Sequence, residues 1–164
     1  MLRRKVSHVI KASMVGAAIS ITSFANPVPD DPLTARLDSV AFTNETRNLV
    51  SGVGGVVATI SDGGVVTLIG NYSGLASPAT SIVVLKGPRT GVPGQERLAA
   101  FPIKRPSTSG SFSEHLRMSI SNLAALVAGQ IYLQVLTETA PDGAIWGWII
   151  RKSDTFGERV PDEQ

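Results

Sequence analysis

Residues 119–150 read Ser-Ile-Ser-Asn-Leu-Ala-Ala-Leu-Val-Ala-Gly-Gln-Ile-Tyr-Leu-Gln-Val-Leu-Thr-Glu-Thr-Ala-Pro-Asp-Gly-Ala-Ile-Trp-Gly-Trp-Ile-Ile, and they decide how the chain folds. Ser119 or Ser121 can cap a helix N-terminus, because a hydroxyl oxygen accepts from a backbone N–H that the first turn leaves unpaired. Leu123, Leu126 and Val127 fall at i, i+3 and i+4, and Gly129 supplies the left-handed stop. A helix of about two and a half turns with one apolar stripe is marginal alone and needs a sheet to lie on. Ile131 to Thr137 then reads as a strand, Pro141-Asp142-Gly143 as a turn, and Ala144 to Ile150 as a second strand.

Outward from this unit, the chain is a series of short strand signals. Phe112 to Ile120 alternates, with Phe112, Leu116, Met118 and Ile120 on one face and Glu114 its odd member. Ser113, His115, Arg117 and Ser119 occupy the solvent face. Val53–Ile60 and Val65–Tyr72 flank Ser61-Asp62-Gly63-Gly64, a tight hairpin signal because such a turn requires positive φ. Ser81–Leu85 is a continuous apolar run, as expected of a strand covered on both faces. Leu98–Ile103 is a further strand and Leu33–Phe42 a weak strand region; residues 87–94 and 104–110 are loops. About seven short strands with regular turn signals predict an all-β fold, an antiparallel Greek-key-like β-sandwich or barrel with one short helix.

Composition agrees. The 164 residues fit one domain, with 43% hydrophobic, 16 Gly and 10 Pro. There is no Cys, which excludes a disulfide framework, a thiolate metal site and a Cys nucleophile. Residues 1–25 resemble a secretory signal: Arg3, Arg4 and Lys5 precede a small, apolar run from Ala12 to Ile21, and Ser23 and Ala25 suit a signal-peptidase pocket. That run is too short to cross a bilayer, which takes roughly 20 apolar residues. Residues 26–32 contain three prolines and form an extended linker, and 151–164 are a charged tail. No later segment is apolar enough to span a membrane as a helix. The pI of about 9.2 is a product of the leader. Without Arg3, Arg4, Lys5 and Lys11, 11 basic residues face 13 acidic ones, so nucleic acid is not an expected partner.

Little in the sequence points to catalysis. His8 falls in the leader, so His115 stands alone and a multi-histidine metal site cannot form. Ser111, Ser113 and Glu114 lie near it, but no Gly-x-Ser-x-Gly elbow accompanies them. The remaining acids occupy turns or lack the spacing of a calcium loop, and the glycine pairs lack the strand-to-helix setting of a phosphate loop. No metal, cofactor or catalytic residue is therefore assigned.

The helix–strand–turn–strand unit resembles the C-terminal half of the chordin-type (CHRD) domain. The matching positions are Leu123, Leu126, Gly129, Tyr132, Thr137, Pro141, Gly143, Ile145 and Gly147. Upstream, Asn71-Tyr72-Ser73-Gly74-Leu75, Gly87-Pro88 and Asn44-Glu45 also resemble family segments, so the likeness spans about residues 33–150. The resemblance implies an extracellular binding module. Against the family pattern, Val84, Lys86 and Leu136 stand where histidines are usual, and Trp146 and Trp148 stand where Arg and Gln are usual. Alternation places Trp146 and Trp148 on the strand face that is polar in the family, beside Tyr132 and Leu136. These four residues are the candidate binding surface, with a protein or glycan as the partner. A structural envelope or matrix component and an exported hydrolase using His115 are the alternatives. Cleavage after Ala25 predicts that N-terminal sequencing of the exported protein will begin at Asn26; a start well away from it would overturn the leader assignment.

Overall fold

The computed structural model describes residues 32–41, 43 and 48–152. The leader, the linker apart from Pro32, Asn44-Glu45 and the tail beyond Lys152 lie outside the described residues. Nine strands and one helix follow in the order β1 (Leu33–Ser39), β2 (Val53–Ser61), β3 (Val65–Ser73), β4 (Ala79–Lys86), β5 (Glu96–Pro102), β6 (Gly110–Arg117), α1 (Ile120–Val127), β7 (Ile131–Thr137), β8 (Ile145–Trp148) and β9 (Ile150–Arg151). The strands pair antiparallel in the order β5-β4-β7-β8-β1-β2-β3-β6, with β9 also on β1, and the sheet curls into a nearly closed barrel.

The stretch that reads as a weak strand is the stave that joins the two halves. In β1, Leu33, Ala35 and Leu37 are buried while Thr34, Arg36 and Asp38 are more exposed, the period-2 pattern of a strand with one face on a core. One edge of β1 pairs with β2 from Leu33 to Leu37. The other edge receives β8 at Asp38 and Ser39 and β9 at Leu33 and Thr34. Those two pairings share one register, so β8 and β9 behave as one strand interrupted at Ile149, whose N–H donates instead to the Ile131 carbonyl at 2.9 Å. Between them sits Gly147. A Cβ there would run into the Arg36 carbonyl and lie 2.9 Å from the Leu37 side chain, so only glycine allows β8 to approach β1 this closely.

The β2–β3 hairpin forms where Asp62-Gly63 marks it. Its loop is Asp62, Gly63 and Gly64, with Ser61 opposite Val65 and φ of 80° and 76° at the two glycines. On β4 the run Ile82, Val83, Val84 is buried throughout, with Ile82 and Val84 in the barrel core and Val83 covered on the outer face. Inward residues of β7 and β8 (Ile131, Leu133, Val135 and Ile145) complete the core and are fully buried.

α1 sits at one end of this barrel. Ser119 caps it, its hydroxyl accepting from the Asn122 N–H at 3.3 Å. At the other end the Gly129 N–H donates to Leu126 and the Gln130 N–H to Ala125, the paired bonds of a Schellman motif, with Gly129 at φ +70°. Leu126 is fully buried in the core, and Leu123 packs against it beside Gly64 of the β2–β3 turn. Met118 ties the entry to that turn, its N–H donating to the Gly64 carbonyl at 2.9 Å.

One expectation is corrected. Ile120 does not continue the inward row of Phe112, Leu116 and Met118; it is 77% exposed as the first residue of the helix. The strand ends at Arg117, and the alternation of a strand carries no information across a helix cap. Replacing Gly147 by Ala should destabilise the fold by about 1–3 kcal/mol through overpacking, whereas Gly55→Ala, with only the Ala35 carbonyl near its new methyl at 3.9 Å, should change stability by less than about 1 kcal/mol. Urea unfolding of the two variants checks this.

Candidate functional site

The pleat of β7 turns Tyr132, Gln134 and Leu136 to the outer face of the barrel, and that of β8 turns Trp146 and Trp148 the same way. The register sets Tyr132 opposite Trp148 and Gln134 opposite Trp146. The three rings gather into one cluster. Tyr132 lies 4.7 Å from Trp148 in a tilted arrangement and 5.7 Å from Trp146 edge to face, and the two indoles are 6.2 Å apart. These separations suit aromatic pairs, whose quadrupoles favour edge and offset contacts.

The members of the cluster differ in cover. Tyr132 is 2% exposed, while Trp146 and Trp148 are half-buried. The cover is the loop between β4 and β5. Its first residue, Gly87, donates its N–H to the Gln130 carbonyl at 2.9 Å, Thr90 donates its hydroxyl to Gly129 at 2.7 Å, and Tyr132 donates its phenol to the Gly94 carbonyl at 2.6 Å. A Cβ on Gly87 would lie 2.7 Å from the Trp148 ring, so the indole rests directly on backbone. Trp148 thus braces the loop, whereas Trp146 faces a groove.

That groove has a volume of about 440 Å³, and its lining includes Leu49, Pro93, Gln134, Pro141, Asp142 and Trp146. The turn after β7 shapes one side: Gly143 donates its N–H to Ala140 and Ala144 to Val135, with Gly143 at φ +121° against the side chain of Gln134. The Gln134 amide makes no hydrogen bond among the described residues, leaving a donor and an acceptor for a ligand.

Of the four candidates, Tyr132, Trp146 and Trp148 come together, while Leu136 shares their face but pairs with Ser81 on β4, beyond Gln134. Of the four candidates only Trp146 lines the groove; Gln134, Pro93, Leu49 and Asp142 are among the lining residues that the sequence reading missed. Alternation from Tyr132 would have named Gln134; nothing local announces Pro93, which arrives from another strand connection.

The positions where the resemblance implies histidines divide between the two faces of the sheet, Val84 and Lys86 sharing one face of β4 and Leu136 lying on the other. Val84 is buried inside the barrel, Leu136 is on its outer face, and Lys86 reaches Asn122 of α1 at 3.3 Å and Glu96 at 3.7 Å. His115 stands on the outer face of β6, with three strands between it and β8 along the sheet, and with Nδ1 3.0 Å from the Thr67 hydroxyl. Glu114 points to the opposite face of β6 from His115, which separates the two groups that an acid–histidine pair would need. Among the described residues, no group of three or more His, Cys, Asp or Glu stands close enough to hold a metal ion. No helix among them is long and apolar enough to cross a membrane.

Burial pushes the Tyr132 phenol above its ordinary value, and burial does the same at Tyr72. A phenol whose folded value is raised stabilises fully below the unfolded value of about 10, and that contribution is lost as pH climbs through the folded value. Unfolding midpoints should therefore fall above pH ~10, and Tyr132→Phe should flatten part of the decline, leaving the share of Tyr72. Urea titrations at a series of alkaline pH values check this.

The family described as CHRD domain matches residues 33–149. No curated protein matches the chain, and no solved structure does.

Proposed function

The chain belongs to the CHRD domain family, and from that premise we propose that it is an exported, non-enzymatic interaction domain that binds a protein or a glycan through the outer face of β7 and β8. The observation that carries this reading is the gathering of Tyr132, Trp146 and Trp148 outside the barrel, beside a groove, while a separate set of residues fills the core. Tyr132 and Trp148 pack under the β4–β5 loop while Trp146 lines the concavity, and an aromatic ring beside a concavity is a usual anchor of a binding surface. Export is supported by the basic, apolar, small-residue pattern of residues 1–25. The lone His115 and its distance along the sheet from the groove favour a binding role over hydrolysis.

A structural role has its own support, since Trp148 and Tyr132 hold the β4–β5 loop. The two roles divide between the tryptophans. Trp148→Ala should lower thermal stability by several degrees, since a large-to-small change at a packed ring costs about 3 kcal/mol or more when fully buried and less here. Trp146→Ala, which loses ring contacts but no loop cover, should lower the melting temperature less than Trp148→Ala and reduce retention of the protein on its own cell-surface or matrix fraction by roughly tenfold. Ile69→Ser, at an exposed position on β3, is the control and should alter neither. Retention unaffected by Trp146→Ala would overturn the binding role of this face.

A further inference from the structure

We propose that the groove beside Trp146 is a saccharide subsite that takes a neutral pyranose unit. The inference deepens the binding role proposed above and rests on it. The lining has two chemical parts. Trp146, Pro93, Pro141 and Leu49 supply apolar surface, and the Gln134 amide and Asp142 carboxylate supply polar atoms. A pyranose is built the same way, with axial C–H groups that lie against an aromatic ring and equatorial hydroxyls around the rim. An indole contributes stacking area at low entropic cost. Gln134 can donate to one hydroxyl and accept from another, and its amide has no competing partner among the described residues. Asp142 is exposed and accepts only, so it suits a hydroxyl donor at the rim.

Charge narrows the class. Among the described residues that line the groove there is one carboxylate and no Lys, Arg or His. An anionic ligand such as a uronic or sialic acid would meet Asp142 and, among the described lining residues, no cation to offset it, which disfavours binding. Size narrows it further: about 440 Å³ lies within the range of small-molecule sites of about 300–1,000 Å³, enough for a short saccharide and small for a folded partner's surface. The bracing of Trp148 by Gly87 and of Tyr132 by Gly94 holds the strands under the groove in place before a ligand arrives, which limits the ordering cost of binding.

The test titrates the mature chain with neutral oligosaccharides (gluco-, manno- and N-acetylglucosamine oligomers) and with oligouronates, followed by tryptophan fluorescence and calorimetry. The expected result is saturable binding of at least one neutral series. Gln134→Ala should weaken it roughly tenfold with an unchanged melting temperature, and Trp146→Ala should weaken it by more. Oligouronates should bind at least tenfold more weakly, with the gap closing in Asp142→Asn. Binding of uronates alone, or neutral binding indifferent to Gln134→Ala and Trp146→Ala, would overturn the saccharide subsite. If no saccharide binds while Trp146→Ala still lowers cell-surface retention, the saccharide inference fails and the interaction role stands; if neither responds, both fail.

Discussion

The fold depends on β1 being held along both edges at once. Remove it, and the order β5-β4-β7-β8-β1-β2-β3-β6 divides into one sheet that ends at β8 and a separate β2-β3-β6 meander. Each would expose a long unpaired edge, the condition that a nearly closed barrel avoids. The joint is made by backbone pairing over the whole length of β1 and by the close approach that Gly147 permits against Arg36. A side chain at that position would force β8 away and loosen the closure.

This joint also governs the outer face. Because Gly147 must point inward at β1, Trp146 and Trp148 must point outward, and the register of β7 then sets Tyr132 and Gln134 across from them. The interior does not need the indoles, since Leu33, Leu68, Leu126, Leu133 and Ile145 are buried there and fill it. The loop from Gly87 to Gln95 crosses the outer face, burying Tyr132 while leaving Trp146 at a groove. One constraint on a glycine therefore orders a core on one side of the sheet and turns the rings of Trp146 and Trp148 to the other.

Much of this was legible in residue pattern. The hairpin at Asp62-Gly63, the doubly covered run of β4 and the Ser119-to-Gly129 helix all follow from local rules about turn φ, face periodicity and caps, and the structure has each of them. Ile120 was misread because strand periodicity was carried through a cap. β1 looked weak because its strength lies in partners far along the chain, not in its own seven residues. Of the site, alternation put Trp146 and Trp148 on one shared face, the family resemblance named that face as the outer one, and Gln134 could have followed from alternation on β7.

By itself, the sequence determined the class of fold, the helix and its ends and the faces of the strands, because each of these depends on neighbours within a few residues. Only the tertiary structure decided that β8 and β9 share one register on β1, that the Gly87–Gln95 loop buries Tyr132, and that Pro93 and Leu49 meet Trp146 at a groove. Those are pairings between segments tens of residues apart. Local propensity says nothing of them, since they form only when closing the barrel brings the segments together.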